Sequence, residues 1–178
     1  MESAQSSDSD EATEGLESSE RLEKVIEGFL QKHRFLHQYR LQKLVYLAEL
    51  LYTERTGGDR LTDAEYRPYR YGAYSEDVKK ELGSVANRPD VKAEHSRKYG
   101  NDTWTYKSDN VDPNLPKEVE EVVDLVMKLT RKKSNDELAQ WSKSTHLFEE
   151  TDYDSEMDFD EYIDHLETGN QPDWKKLI

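Results

Sequence analysis

Between Tyr39 and Arg55 the chain reads YRLQKLVYLAELLYTER, with apolar residues recurring at helical spacing. Leu41, Leu44, Val45, Ala48, Leu51 and Tyr52 form one stripe, and Leu47 and Leu50 widen it. A helix lying on a protein surface needs only a narrow apolar stripe. One with so broad an apolar face has to be surrounded by other elements. The segment therefore predicts a central core helix, stopped by Gly57-Gly58. The rest of the chain must supply the faces that cover it.

Candidate faces follow in order. From Ser19, the residues Leu22, Val25, Ile26, Phe29 and Leu30 fall on one helical stripe. Ser75 is a good N-cap for a third helix, with Glu76 and Asp77 in its first turn, Val78, Leu82 and Val85 inward, and Asn87-Arg88-Pro89 ending it. Val119, Val122, Val123, Val126 and Leu129 line a fourth helix whose basic end is Arg131-Lys132-Lys133. Ser134-Asn135-Asp136-Glu137 has the form of a capping box, with Leu138 and Trp141 inward, and a last short helix is expected near Phe159–Leu166. Residues 91–107 read as two short strands around Gly100-Asn101. Residues 59–74 read as irregular and aromatic, interrupted by Pro68 and Gly72. The fold class expected is α+β, predominantly helical, with one small β-hairpin. A hairpin following a helix also suits the wing of a winged-helix domain. Residues 1–18 are expected to be a disordered acidic tail, 19–168 a single helical domain and 169–178 a C-terminal tail.

Charge sharpens this division. The 178 residues carry a net charge of −14. Residues 1–20 hold seven acids and no base, and residues 149–178 hold eleven acids and two lysines. The body between is close to neutral, at +2. Acidic ends repel phosphates, so charge does not point to nucleic acid. There is no cysteine, which excludes a disulfide scaffold, thiolate zinc sites and a cysteine nucleophile. No apolar run reaches the roughly 18–20 residues that span a bilayer, and the N-terminus lacks the pattern of a secretory signal. A cytoplasmic protein is expected.

Motifs for chemistry are few. His33 and His37 are spaced i, i+4, which on one helix would bring both rings to one face, but Arg34 stands where a zinc hydrolase needs glutamate. Residues 150–161 imitate a calcium loop, with Glu150 where Asp is usual and Ser155 where the turn needs glycine. Neither is taken as a metal site. No activated nucleophile, phosphate-cradling loop or dinucleotide fingerprint is present, so neither an enzyme nor a cofactor is expected. The informative feature is aromatic: Tyr66, Tyr69, Tyr71 and Tyr74 are interleaved with Arg67 and Arg70. Tyrosine and arginine combine large contact area with directional hydrogen bonds, so these six are the candidate partner-binding residues. In the alternative, a winged-helix DNA-binding regulator, Lys79, Lys80, Arg97 and Lys98 would meet phosphates.

Three segments carry a family resemblance. Leu41-Gln42-Lys43-Leu44-Val45-Tyr46-Leu47-Ala48 resembles the opening of the antitoxin SocA-like Panacea domain, close to its YwgA-like branch. Tyr71-Gly72-Ala73-Tyr74-Ser75 resembles the family's YGPxS element, with Ala73 in place of proline. Leu138–His146 resembles its closing L…sH segment. The resemblance implies a compact helical cytoplasmic domain that binds and neutralises a partner toxin, or delivers it to a protease. A basic toxin would suit the acidic ends.

Overall fold

Helix α2 (Gln38–Thr56) has 12 of its 19 residues buried, among them Gln42, Lys43 and Glu49. In the computed structural model, which describes residues 18–98, 101–109 and 114–178, every other helical layer is arranged about it. The expected N-terminal tail up to residue 17 and the hairpin tip at Tyr99-Gly100 lie outside the described residues. His37 starts α2 by accepting the Tyr39 N–H on its ring nitrogen. Gly57, at φ 76°, ends it in the left-handed conformation that glycine adopts without strain.

Before α2 come α1 (Ser18–Lys32) and the short strand β1 (Leu36–His37). After it come β2 (Arg67–Tyr69), β3 (Gly72–Tyr74), α3 (Glu76–Ala86), β4 (Val91–Lys98) and β5 (Asn101–Ser108). Then follow α4 (Lys117–Thr130), α5 (Asn135–Lys143), α6 (His146–Glu150), α7 (Phe159–Glu167) and a 3-10 helix (Asp173–Leu177). The α+β, predominantly helical class expected from the sequence is the class observed. Leu22, Val25, Ile26, Phe29 and Leu30 of α1 are all buried, as are Val119, Val122, Val123 and Val126 of α4. Arg40 ties α2 to the end of α4 by donating to the Thr130 and Lys133 carbonyls, both at 2.7 Å.

β4 and β5 form the expected antiparallel hairpin, and β1 adds to its β5 edge with Leu36 opposite Tyr106. The sheet order is β1-β5-β4, and α3 directly precedes the hairpin.

Two segments differ from the sequence reading. Residues 67–74 are a second hairpin rather than irregular chain, with Arg67 opposite Tyr74 and a turn at Arg70-Tyr71. Pro68 fits because the outer edge of β2 is used through its carbonyls. Asp154 N–H donates to Pro68 O and Met157 N–H to Tyr66 O, so the missing proline donor leaves no bond unmade. Residues 173–177, assigned to a tail by sequence, pack on the core. Leu177 and Asp173 are buried, the Trp141 indole donates to Asp173 O, and the Trp174 indole donates to Glu54, both at 2.9 Å.

Candidate functional site

The site is built on the N-terminal half of α2, from Tyr39 to Tyr46. Gln42 projects toward the turn between β3 and α3 and clamps Ser75 at two points: its amide donates to Ser75 O, and its carbonyl accepts the Ser75 N–H, both at 2.9 Å. The Ser75 hydroxyl in turn accepts the Val78 N–H and caps α3. One residue along α2, the Lys43 ammonium donates to Ala73 O at 2.6 Å. From the other side, the Ser142 hydroxyl of α5 accepts the Ala73 N–H and donates to Ala139 O. Tyr46 closes the join with a 2.7 Å hydrogen bond to Thr145.

Gly72 makes this approach feasible. Its φ is 112°, and a Cβ there would overlap the Ser142 hydroxyl and lie 3.2 Å from both Ala139 O and the Lys43 Cε. Residues 41–48, 71–75 and 138–146, far apart in sequence, therefore meet around one hairpin.

The outer side of that hairpin is a hollow of about 300 Å³ lined by tyrosines, with Lys43 on its floor and Arg70 and Glu76 at its margin. Tyr69 packs nearly edge-on against Tyr74 and Tyr153, with ring centroids 5.1 and 5.8 Å away, and Tyr39 lies 6.3 Å from Tyr71. Tyr39, Tyr71 and Tyr153 remain 47%, 62% and 67% exposed. A second hollow of about 260 Å³ adjoins it across Tyr39 and Tyr74, and Lys79 lies on its wall. Burial, together with the neighbouring Lys143 charge, pulls the Lys43 ammonium down to about 8. Burial and the Glu76 carboxylate, to which it donates a hydrogen bond, push the Tyr74 phenol up to about 12.

Of the six candidate partner-binding residues, Tyr69, Arg70, Tyr71 and Tyr74 share the hollow. Arg67 lies beside it, donating to Asp154 O and ion-paired with Glu65 and Asp154. Tyr66 is a correction: it is fully buried, its ring against Tyr46 and Phe159, so it belongs to the core and offers no contact surface. Alternation along an extended segment turns Tyr66 inward. Sequence reasoning missed Tyr39, Lys43 and Tyr153 as lining residues. Tyr39 and Lys43 are one helical turn apart, a signal that was legible, whereas Tyr153 arrives from the acidic segment and left none.

The other candidates are dispersed. Lys79 and Lys80 are exposed on α3 and Arg97 on β4, while the Lys98 side chain lies outside the described residues. Glu76, Asp77 and Glu81 share the α3 segment with the two lysines. His33 and His37 do not share a helix: the first follows α1 and donates to Phe29 O, the second caps α2. Among the described residues no three His, Asp or Glu side chains converge as a metal site, and no helix is long and apolar enough to cross a membrane.

Comparison with known proteins finds no matching curated protein and no matching solved structure. The family model described as antitoxin SocA-like, Panacea domain, does match, over residues 41–147. That range begins on the core helix and ends just past the Tyr46–Thr145 join, so it takes in all three converging segments. The match is to the family as a whole and does not distinguish a YwgA-like branch. With more than half of its length covered, this chain belongs to the antitoxin SocA-like Panacea domain family.

Proposed function

We propose that the chain is a non-enzymatic interaction domain of a toxin–antitoxin system that binds a partner toxin through the tyrosine hollow and thereby neutralises it or presents it to a protease. Family membership supports a toxin–antitoxin role in general and suggests a non-enzymatic one. The observation that carries the finer reading is the cluster of Tyr39, Tyr69, Tyr71, Tyr74 and Tyr153, held in place by residues of the family segments. Rigid aromatic side chains lose little entropy on binding and are enriched among interface anchors. The acidic ends add long-range attraction toward a basic partner.

The test is affinity capture with the full chain beside Tyr71→Ala and Tyr39→Ala, followed by expression of the captured protein alone and together with this chain. A hot-spot truncation of about 2 kcal/mol weakens binding roughly 30-fold. A captured protein that arrests growth alone, is relieved by the wild-type chain and is not relieved by the variants is the expected result. Equal capture by all three chains would remove the hollow from the interface.

A helix running directly into a hairpin, with β1 added on the β5 edge, suits the wing of a winged-helix domain and supports a second reading, DNA binding through α3 and the β4–β5 hairpin. Its signature is binding that falls steeply with added salt and is weakened in Lys79→Ala/Lys80→Ala.

A further inference from the structure

Lys43 is 5% exposed, yet its side chain forms part of the floor of the tyrosine hollow. An ammonium has three N–H donors, and the Ala73 carbonyl takes one. Among the described residues no carboxylate pairs with it. The charge that acts on Lys43 besides its burial is a second cation, Lys143, and Arg70 at the margin stacks over the Tyr71 ring at 5.6 Å. The acids close by are engaged elsewhere: Glu76 accepts from Tyr74, and Asp154 pairs with Arg67. Burying an ammonium without a counter-charge is costly, and an anion entering the hollow removes that cost.

Resting on the interaction reading above, we propose that the tyrosine hollow receives one carboxylate from an acidic segment of the partner protein, seated on Lys43 between Tyr39, Tyr69 and Tyr71. The charge balance selects a monoanion. Glu76 on the same wall opposes a second negative charge, and the α3 N-terminus beside it is already occupied by the Ser75 hydroxyl. Tyrosine faces cover the apolar part of an aspartate or glutamate chain, and their hydroxyls supply further donors. A basic surface of the same partner can still meet the acids of the two ends, since of residues 149–178 Tyr153 alone lines the hollow.

A carboxylate beside Lys43 favours its charged form, so its titration midpoint moves up from about 8 toward the ordinary lysine value. Binding then takes up a proton above that pH and weakens as the solution is made more alkaline. The probe is acetate, added to the full chain carrying 13C at lysine Cε, with inorganic phosphate and sodium chloride at matched ionic strength as the other arms. The Lys43 resonance is identified by its loss in Lys43→Met.

Acetate is expected to move this resonance saturably and to raise its midpoint by about one unit, with sodium chloride producing neither effect. Arg70→Gln, an exposed change at the margin, is expected to weaken the acetate response roughly threefold and serves if Lys43→Met fails to fold. Saturation by phosphate at lower concentration than acetate overturns the choice of carboxylate. A resonance that follows acetate and chloride alike overturns the site. If acetate binds saturably while Tyr71→Ala still captures the partner, the interaction reading fails and the carboxylate site stands. If capture is lost in Tyr71→Ala while Lys43 ignores acetate, only the present inference fails.

Discussion

At Gly72 two constraints coincide: a φ of 112° and no room for a Cβ between Ser142, Ala139 and Lys43. Gly72→Ala must strain the backbone and push the hairpin off α5 together. A loss of about 3 kcal/mol is expected, read as a lower urea midpoint with an unchanged slope. Tyr66 makes the opposite case. Its hydroxyl is buried and finds no hydrogen-bond partner among the described residues, and burial pushes the phenol well above the ordinary tyrosine range. Tyr66→Phe removes an unsatisfied polar group while keeping the ring contacts with Tyr46 and Phe159. The variant is expected to be more stable by up to about 1–2 kcal/mol, with partner capture unchanged. A loss of capture without loss of stability would return Tyr66 to the interface.

Among the elements, α5 is anchored by a reciprocal cap in which Ser134 accepts the Glu137 N–H and Glu137 accepts the Ser134 N–H. Ser134→Ala is expected to cost about 1 kcal/mol by thermal or chemical denaturation, and a cost near zero would mean that packing of Leu138 and Trp141 alone sets the helix start. This cap was legible in the sequence because its chemistry is local, as were the broad apolar face of α2, the stripe of α1 and the Ser75 start of α3. The β2–β3 hairpin was not legible. Pro68 and Gly72 break regular structure when read locally, and what rescues them, Asp154 and Met157 on one side and Ser142 on the other, lies about 70–90 residues away. α6 has five residues, too few for a periodicity to register. For the site, the Tyr/Arg segment pointed to the correct stretch of chain, but which tyrosines face outward depended on strand pairing. Lys43 looked like one more member of a core helix until the hollow was seen above it.

Over the whole molecule the charge is polarised, with acidic ends on a nearly neutral body. If the ends steer a basic partner, a chain lacking residues 1–17 associates more slowly at low salt while dissociating at the same rate, and the difference shrinks as salt is added. Equal association rates at low ionic strength would remove the N-terminal segment from the account. The bonds that hold α2 also reach far along the chain. Gln42 meets Ser75 across 33 residues, Arg40 meets Thr130 across 90, Tyr46 meets Thr145 across 99, and Glu54 meets Trp174 across 120. Helical proteins fold fast when their contacts are local, and here the decisive ones are not. Most of the loop-closing entropy must be lost before the central helix gains its polar partners. Despite its helix content, the chain is therefore expected to fold more slowly than a helical bundle of local contacts, which stopped-flow refolding would measure. Until folding is complete the leucines of α2 stay open to chaperones, to proteases and to other copies of themselves.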